Sequence, residues 1–501
     1  MSITSDELNF LVYRYLHESG FRHSAFTFGC ESMVAKSNIN GSKIPPGQLV
    51  NIIQKGIMYA NLERSVADDG SDVPSTEPFS LLRGADSKSG NEGSSQDVKA
   101  EGTGSGNTAP STDAASRDSK RPRLEAESAP ARPNGVHTAA ETPEDQVTTL
   151  AGHTSEVFIC AWSPSSLLLA SGSGDSTARI WRVPEGPCGK GQTASMQEPL
   201  VLQHLSKDKE KSKDVTTLDW NHDGSSLATG SYDGQARIWS STGKLTATLV
   251  KHNGPIFSLK WNCTGQYLLS GSVDKTAIIW DVAAGTVKQQ FAFHKEPTLD
   301  VDWRDADSFA SCSTDRMIYV CKLNQPNYLK CFQGHRDEVN AIKWDPSGQL
   351  LASCSDDYTA KLWSMSRDTC VHNLREHTKE IYTIKWSPTG PGSNNPNQNL
   401  VLASASFDST IRIWDPETGA CRHVLDKHSD PVYSVAFSSD GQYLASGSFD
   451  RCLHIWSVKD GSLIKTYRGN GGIFEVCWNA EGTKVAACFS NKTVSVMDVR
   501  M

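Results

Sequence analysis

The chain has 501 residues and a formal net charge of −8, with 57 acidic against 49 basic side chains. This excess of acid argues against nonspecific binding to nucleic acid and favours basic partners. No apolar run approaches the length of a membrane span, and the start, MSITSDELNF, lacks the basic and apolar regions of a signal peptide. The 13 cysteines form no CxxC pair, which is typical of reduced thiols in the cytosol or nucleus.

The first 60 residues predict a small helical domain. In TSDELNFLVYRYLHESGF, Thr4 and Glu7 fit a capping box and Gly20 suits a C-terminal cap. A domain this small has difficulty covering its own core, so burial against a second copy is the simple solution. A self-contained helical mini-domain is the alternative. The apolar residues expected at the oligomer interface are Leu8, Leu11, Val12, Tyr15, Leu16, Phe21, Phe26 and Phe28.

Residues 86 to 145 have the composition of a disordered linker. The stretch is rich in Gly, Ser, Ala, Asp and Glu, and no aromatic residue occurs between Phe79 and Phe158. Such a segment cannot bury enough apolar surface to offset its chain entropy. Within it, SKRPR at residues 119 to 123 is either a nuclear import signal or one charged patch among many.

One constellation recurs through the remaining chain. His335 precedes Asp357 by 22 positions, and Asp357 precedes Trp363 by six. The other complete sets are His153, Asp175 and Trp181; His252, Asp274 and Trp280; His377, Asp408 and Trp414; and His428, Asp450 and Trp456. His204, Asp233 and Trp239 form a further set, and altered copies occur at His294 with Asp315 and Cys321 and at Asn491 with Met497.

Each repeat unit alternates apolar and polar residues in short runs bounded by Gly, Asp, Asn or Pro, which predicts strands. From Val147 to the C-terminus, eight units average about 44 residues, the length typical of a four-stranded propeller blade. The predicted fold class is therefore mainly β, with an eight-bladed propeller over residues 146 to 501. The last unit lacks an outer strand, and we expect residues 146 to 150 to supply it and close the ring.

The recurrence of the His–Asp pair argues against catalysis, because an enzyme needs one proton-transfer pair rather than seven. A structural interpretation suffices: histidine, aspartate and tryptophan form a hydrogen-bonded chain that holds each blade together. The sequence contains no GxSxG, HExxH or phosphate-loop motif. We therefore predict a non-enzymatic protein and assign no cofactor and no metal ligand.

Aromatic residues concentrate at positions expected on the narrow top rim of the propeller. These positions stand immediately before the turn aspartates or after the first apolar residue of each inner strand, and carboxylates lie beside them. An aromatic floor with an acidic border suits a peptide rich in lysine or arginine; the alternative is that the rings pack sideways between blades. The predicted peptide-binding residues are Phe158, Tyr232, Phe257, Asp356, Tyr382, Phe407, Tyr433, Phe449 and Phe474, with Glu156, Glu338 and Glu380.

The repeats, with Asp and Trp at fixed spacing in six of eight units, resemble the WD-repeat family. The first helices resemble the Lis-homology motif, a dimerising unit. FLVYRYLHESGFRHSAFTFG, NINGSKIPPGQLVNIIQKG and, in the propeller, VNAIKWDPSGQLLASCSDD and GGIFEVCWNAEG are similar to the transducin-beta-like, F-box-like WD-repeat proteins. The resemblance covers about residues 1 to 60 and 147 to 501, and it marks 41 to 85 as an F-box-like segment.

This resemblance implies a nuclear, non-enzymatic subunit of a nuclear receptor corepressor complex that contains a histone deacetylase. It further implies that the N-terminal domain self-associates and holds corepressor segments, that the propeller contacts histone tails, and that the protein links corepressor to ubiquitin-conjugating machinery. It implies no membrane attachment and no sequence-specific DNA binding. The competing hypothesis is a substrate receptor of a cullin-type ubiquitin ligase.

Overall fold

The computed structural model describes residues 5–18, 49, 52, 53, 55, 140–193, 197–204 and 213–499. The chain divides into two compact units, Met1–Val136 and His137–Met501. Within the described part of the chain, no helix is both long enough and apolar enough to cross a membrane.

The described part of the first unit is dominated by one helix, α1 (Ser5–Glu18). Leu11 is buried and Val12 and Leu16 are half-buried, whereas Leu8 and Tyr15 are 44% and 38% exposed. The helix thus carries two large apolar side chains on its surface. The predicted cap residues Thr4 and Gly20, the predicted interface residues Phe21, Phe26 and Phe28, and most of the F-box-like segment lie outside the described residues.

The second unit is an eight-bladed propeller, which confirms the predicted fold class. Each blade is a sheet of antiparallel strands, and the first strand of every blade lies beside the first strands of both neighbouring blades, so these strands form the inner ring. The strands of blades 1 and 2 are Val157–Trp162, Leu168–Ser173, Thr177–Arg182 and Leu200–Gln203, then Val215–Trp220, Ser226–Ser231, Gln235–Ser240 and Leu245–Val250. A short helix, α2 (Lys190–Thr193), precedes the last strand of blade 1.

The next four blades repeat this plan. The strands of blade 3 are Ile256–Trp261, Tyr267–Ser272, Ala277–Asp281 and Thr286–Phe291, and those of blade 4 are Thr298–Trp303, Ser308–Ser313, Met317–Lys322 and Lys330–Gln333. The strands of blade 5 are Val339–Trp344, Leu350–Ser355, Ala360–Ser364 and His372–Leu374, and those of blade 6 are Ile381–Trp386, Leu402–Ser406, Ile411–Trp414 and Cys421–Leu425.

Blades 7 and 8 close the ring. Blade 7 contains Val432–Phe437, Tyr443–Ser448, Cys452–Ser457 and Leu463–Arg468, and blade 8 contains Ile473–Trp478, Lys484–Phe489 and Thr493–Asp498. The outer strand of blade 8 is Val147–Ala151, paired antiparallel with the last strand of the chain. The predicted closure by residues 146 to 150 is confirmed, with bounds one residue later.

A second N-terminal strand was not predicted. Ala140–Glu141 pairs in parallel with Leu463–Arg468 of blade 7, and the Thr142 amide donates to the Thr466 carbonyl at 2.8 Å. A one-turn 3₁₀ helix, Glu144–Gln146, connects this strand to Val147–Ala151. Residues 140 to 145, which we assigned to the linker, therefore belong to the propeller unit and cover an outer sheet edge that would otherwise stay unpaired. The rest of the predicted linker lies outside the described residues.

Tryptophans of the inner ring connect neighbouring blades. The indole N–H of Trp478 donates to the Ala436 carbonyl at 2.9 Å, and that of Trp386 donates to the Lys343 carbonyl at 2.8 Å. The equivalent bond is made by Trp162, Trp220, Trp261 and Trp303. Because the large rings also fill the space between sheets, these tryptophans fix blades 1, 2, 3, 4, 6 and 8 each to the blade before it.

The insertion TGPGSNNPNQN, residues 389 to 399, forms an ordered loop on the face opposite the aspartate turns. Thr389 forms a bridge with Asn395, and the Asn395 side-chain amide donates to the carbonyls of Pro388 and Ser439 at 2.9 and 3.0 Å. The loop therefore joins blade 6 to the adjacent turn of blade 7.

Candidate functional site

The recurring histidine, aspartate and tryptophan form a buried hydrogen-bonded chain. In blade 5 the Trp363 indole donates to Ser353 Oγ at 2.8 Å, and Ser353 Oγ lies 2.7 Å from His335 Nε2. His335 Nδ1 lies 2.9 Å from Asp357 Oδ2. Since an indole N–H can only donate, the serine proton points to Nε2, and the neutral imidazole carries its proton on Nδ1 and donates it to the aspartate.

Four other blades contain the same chain at the same distances within a few tenths of an ångström. Its members are His153, Ser171, Asp175 and Trp181; His252, Ser270, Asp274 and Trp280; His377, Ser404, Asp408 and Trp414; and His428, Ser446, Asp450 and Trp456. All five histidines are buried, and both ring nitrogens of each are occupied. The chain therefore leaves no free imidazole nitrogen to accept a substrate proton.

The electrostatics of the relay agree with this geometry. Burial alone would raise the pKa of Asp357, but hydrogen bonds from His335, Thr359 and the Arg336 amide hold it well below its ordinary value. The same balance lowers the pKa of Asp274 to about 2. Burial lowers the pKa of His335, which keeps that imidazole neutral.

Blades 2 and 4 depart from this pattern. In blade 2, Asp233 pairs with Arg237 at 2.9 Å, and His204 contacts Arg237 and Thr229 instead of the aspartate. In blade 4, His294 bonds Asp315 and Ser311, but Cys321 replaces the tryptophan and supplies no indole donor. Both blades keep the aspartate; blade 2 replaces its histidine partner with arginine, whereas blade 4 keeps the histidine and loses the indole donor to the serine.

The bridging hydroxyl was missed by our reading of the sequence. A serine or threonine stands four positions before every relay aspartate, as Ser353 does before Asp357 and Thr229 before Asp233. The serine or threonine at this position in every unit with a histidine was a sufficient sequence signal for the bridging hydroxyl.

One relay lies close to a further histidine. Ligand atoms of His428, Asp450 and His454 all lie within 4.8 Å of one another, a spacing that could hold a metal ion. However, His428 already bonds Asp450 and Ser446, and His454 Nδ1 lies 2.9 Å from Thr466 Oγ1. A metal ion would have to displace these bonds, so the arrangement is that of a packed polar core.

Backbone geometry explains the positions of the predicted rim residues. Each inner strand contains a register shift that leaves one residue unpaired; in blade 6, Ile381 faces Ser406 and Thr383 faces Ala405, so Tyr382 is skipped. A bulge of this kind redirects a side chain away from the sheet. The residues skipped in this way are Phe158, Thr216, Phe257, Leu299, Asn340, Tyr382, Tyr433 and Phe474.

Six of the eight predicted aromatic rings form one connected cluster, which we call the aromatic rim. Tyr433 is its centre, with ring centroids 5.2 Å from Tyr382, 5.4 Å from Phe407, 6.0 Å from Phe474 and 6.3 Å from Phe449. Phe158 joins the cluster through Phe474 at 5.8 Å. Tyr433 is only 9% exposed, whereas Phe449 is 37% exposed. Tyr232 and Phe257 occupy the equivalent positions of blades 2 and 3.

Carboxylates gather beside the aromatic rim between blades 5 and 6. Asp356 accepts a hydrogen bond from Asn340, and its pKa is raised first by burial and then by the negative charges of Glu380 and Asp337. The backbone carbonyls of Glu338 and Glu380 accept from the amides of Asp356 and Phe407, which places both acids at the same rim. Glu156, on blade 1, accepts from the Ser155 hydroxyl at 2.7 Å. This combination can attract a cation and offer it an aromatic face.

The folded architecture and the repeated relays define a WD-repeat propeller protein. The WD domain, G-beta repeat, matches residues 144–182, 202–240, 243–281, 326–364, 368–415, 419–457 and 461–498, and the LisH motif matches residues 6–32. The interval from 282 to 325, which has no repeat match, contains Cys321 in place of tryptophan. The chain belongs to the F-box-like/WD repeat-containing family of WD-repeat proteins.

Similarity to individual relatives extends over the whole chain. F-box-like/WD repeat-containing protein TBL1Y of Homo sapiens is 54% identical, with complete coverage of both chains. WD40 repeat-containing protein HOS15 of Arabidopsis thaliana is 46% identical, also with complete coverage of both. Among solved structures, the C-terminal WD40 domain of Sif2 is 25% identical with a TM-score of 0.62, covering 71% of this chain and 99% of that one.

Proposed function

We propose that this protein is a scaffold of a transcriptional corepressor complex that contains a histone deacetylase. In this proposal the N-terminal domain self-associates and holds the corepressor, while the top rim of the propeller holds a basic peptide of the histone-tail type. The protein acts in the nucleus. It performs no chemistry itself and makes no sequence-specific contact with DNA.

The aromatic rim is the observation that carries the proposal. Six rings from blades 1, 6, 7 and 8 meet at one place, one of them more than a third exposed, and carboxylates of blade 5 and blade 6 lie beside them. Cations bind aromatic faces and are held further by neighbouring carboxylates. A lysine- or arginine-rich tail supplies the complementary groups.

The N-terminal part of the proposal is supported by the LisH match at residues 6–32 and by Leu8 and Tyr15 on the surface of α1. Apolar side chains in such a small domain favour burial against a second copy. Among the relatives, one that is 25% identical over the whole chain is named a SIR4-interacting protein, which supports a role in binding other proteins.

A second candidate function is favoured by the name of the relatives, which includes the term F-box-like. On this view the protein recruits ubiquitin-conjugating machinery, either to remove corepressor or as the substrate receptor of a cullin-type ligase. Both uses keep the propeller as the substrate-binding surface.

Purification of the full-length chain from nuclear extract at low ionic strength distinguishes these functions. We expect a large corepressor and a deacetylase to be the main copurifying proteins, and wild-type protein to bind at least one amino-terminal tail peptide of the four core histones. Recovery of a cullin scaffold in their place would favour the ligase receptor. Failure to bind any tail peptide would contradict the histone contact.

A further inference from the structure

The central channel of the propeller contains a network of charged side chains directly beneath the aromatic rim. Residues one and three positions before the inner-strand tryptophan alternate with the buried residues between blades, so their side chains enter the channel. The charged members are Asp219, Lys260, Asp300, Asp302, Lys343, Lys385 and Glu475. They come from blades 2, 3, 4, 5, 6 and 8. The pKa values of all of them except Lys260 are shifted, in each case first by burial and then by the charge of another member of the network.

Five of the seven charged side chains in this network form ion pairs with one another. Lys343 Nζ lies 2.7 Å from Asp300 and 3.9 Å from Asp302, and Lys260 Nζ lies 3.9 Å from Asp219. Among the described residues, no ion pair within 4.0 Å includes Lys385 or Glu475. Four carboxylates face three ammonium groups, which leaves one negative charge without compensation inside the channel.

Glu475 connects this network to the rim. It follows Phe474 of the aromatic rim in sequence, and its neighbour on the other strand is Cys488. Its neighbour Phe474 lies 6.0 Å from the Tyr433 ring, and its other neighbour, Val476, donates its amide to Ser434 Oγ at 3.1 Å, so Glu475 lies against the strand of blade 7 that carries Tyr433. Burial raises the pKa of the Tyr382 phenol, and the charges of Tyr433 and Glu475 raise it further. Burial also raises the pKa of Glu475 itself, opposed by the charge of Lys385.

We propose that Tyr382, Tyr433 and Phe474 form the mouth of a subsite that takes one protonated lysine or arginine side chain, with the Glu475 carboxylate as its counter-ion. The subsite rests on the proposed function, since the cation belongs to the basic peptide bound at the rim. The aliphatic stem of the side chain packs against the rings while its charged end reaches the carboxylate. Lys385 opposes the incoming cation, because it carries the same charge into the same channel.

Substitutions of Glu475 and Lys385 should change peptide affinity in opposite directions. This difference distinguishes a direct effect on binding from damage to the fold. The full-length chain is titrated against fluorescein-labelled histone-tail peptide, using the tail that binds wild-type protein most tightly. Glu475→Gln should weaken binding by about tenfold or more, since it removes a desolvated counter-ion. Lys385→Met should strengthen binding several-fold. Glu481→Gln, an exposed carboxylate on the opposite face of the same blade, should change nothing.

Acetylation of the peptide identifies the inserted residue. Each lysine is replaced in turn by acetyl-lysine; at one position the wild-type affinity should fall by about the factor lost in Glu475→Gln, and the same acetylation should have little further effect on that variant. Arginine at this position should retain binding. These two results would support the subsite.

The outcomes that would overturn the subsite differ from those that would overturn the proposed function. If wild-type protein binds a tail but Glu475→Gln or Lys385→Met binds it equally well, the peptide lies on the rim without entering the channel and only the subsite fails. Independent, additive effects of Glu475→Gln and acetylation lead to the same conclusion. If wild-type protein binds no tail, the histone contact and the subsite fail together.

Discussion

Val147 faces Met497 across the outermost strand pair of blade 8, so the beginning of the propeller unit completes the sheet that the end of the chain builds. Val147 and Leu150 are both buried in this position, against clusters that belong to blades 7, 8 and 1. One five-residue strand therefore carries the closure of the ring.

Removal of this strand should destabilise the propeller. A chain beginning at Gly152 loses two buried aliphatic side chains, which contribute about 1.5–3 kcal/mol each, and we expect its melting temperature to fall by about 10 °C. A chain beginning at residue 140 is the control and should melt like the full propeller. Circular dichroism melts of both chains provide the measurement; equal melting temperatures would show that the closing strand is dispensable.

The serine of the relay should be as important as the histidine. Ser353→Ala leaves the Trp363 indole N–H and His335 Nε2 buried without partners, and we expect a loss of about 2–4 kcal/mol in the free energy of unfolding. Ser366, an exposed serine in the same blade, provides the matched alanine control. Urea unfolding measures both, and a loss for Ser353→Ala no larger than for Ser366→Ala would show that the hydroxyl does not complete the chain.

The sequence predicted those features that repeat along the chain. The spacing from Asp357 to Trp363, present in six units, was sufficient for the blade count and for the closing strand. The parallel strand Ala140–Glu141 was not predictable, because two residues without alternation give no local strand signal and the pairing depends on a distant edge. The sequence also did not predict that Arg237 takes the place of His204 as the partner of Asp233, because that choice depends on which side chains face each other across strands.

Sequence positions were sufficient to locate the candidate rim, whereas the contacts between its rings could be seen only in the structure. Equivalent positions in successive units identified Tyr382, Tyr433 and Phe474, but their rings meet because neighbouring blades bring distant segments together. The bulge that redirects each of them is invisible in sequence, since no glycine marks it. Whether peptides bind there stays a prediction.

Acid should destabilise the propeller from about pH 6.5 downwards. Burial, then the charge of His428, lowers the pKa of His454 to about 3, and burial also lowers those of His204 and His335. The unfolded chain, whose histidines titrate near 6.5, therefore binds more protons, and each such histidine lowers stability by about 1.4 kcal/mol per pH unit until its folded pKa is reached. Below about pH 4 the relay aspartates, with lowered pKa values, lose their contribution as well.

Urea unfolding at pH 7.5, 6.5, 5.5 and 4.5 measures this dependence. His454→Gln should reduce the slope below pH 6.5 by up to about 1.4 kcal/mol per unit, because it removes one of the proton-binding differences. His222, an exposed histidine, is the matched position for the control substitution to glutamine. A slope that is identical in wild-type protein and His454→Gln would contradict the buried neutral imidazole.

Self-association should depend on the exposed apolar residues of α1. A charge at Leu8 or Tyr15 opposes burial of that helix face against a second copy, so Leu8→Glu with Tyr15→Glu should convert the oligomer to monomer. Sedimentation equilibrium of the full-length chain is the measurement. Val250→Glu, at a 65% exposed valine of the propeller, is the control. A wild-type chain that sediments as a monomer would favour the self-contained mini-domain.

Peptide binding at the rim should be lost when single rings are removed. Tyr382 and Phe474 are half-buried and each contacts Tyr433, so Tyr382→Ala or Phe474→Ala opens the centre of the aromatic rim. Loss of one cation–π face and of the packing around it should weaken histone-peptide binding by about tenfold, or about 1.4 kcal/mol. The melting temperature should stay close to that of wild-type protein, since both rings lie outside the buried core between blades.

Tyr328, 47% exposed on blade 4 and away from the rim, provides the aromatic control for the same titration. Unaltered affinity in both rim variants would count heavily against a top-face site, because these two rings flank Tyr433 at the centre of the aromatic rim.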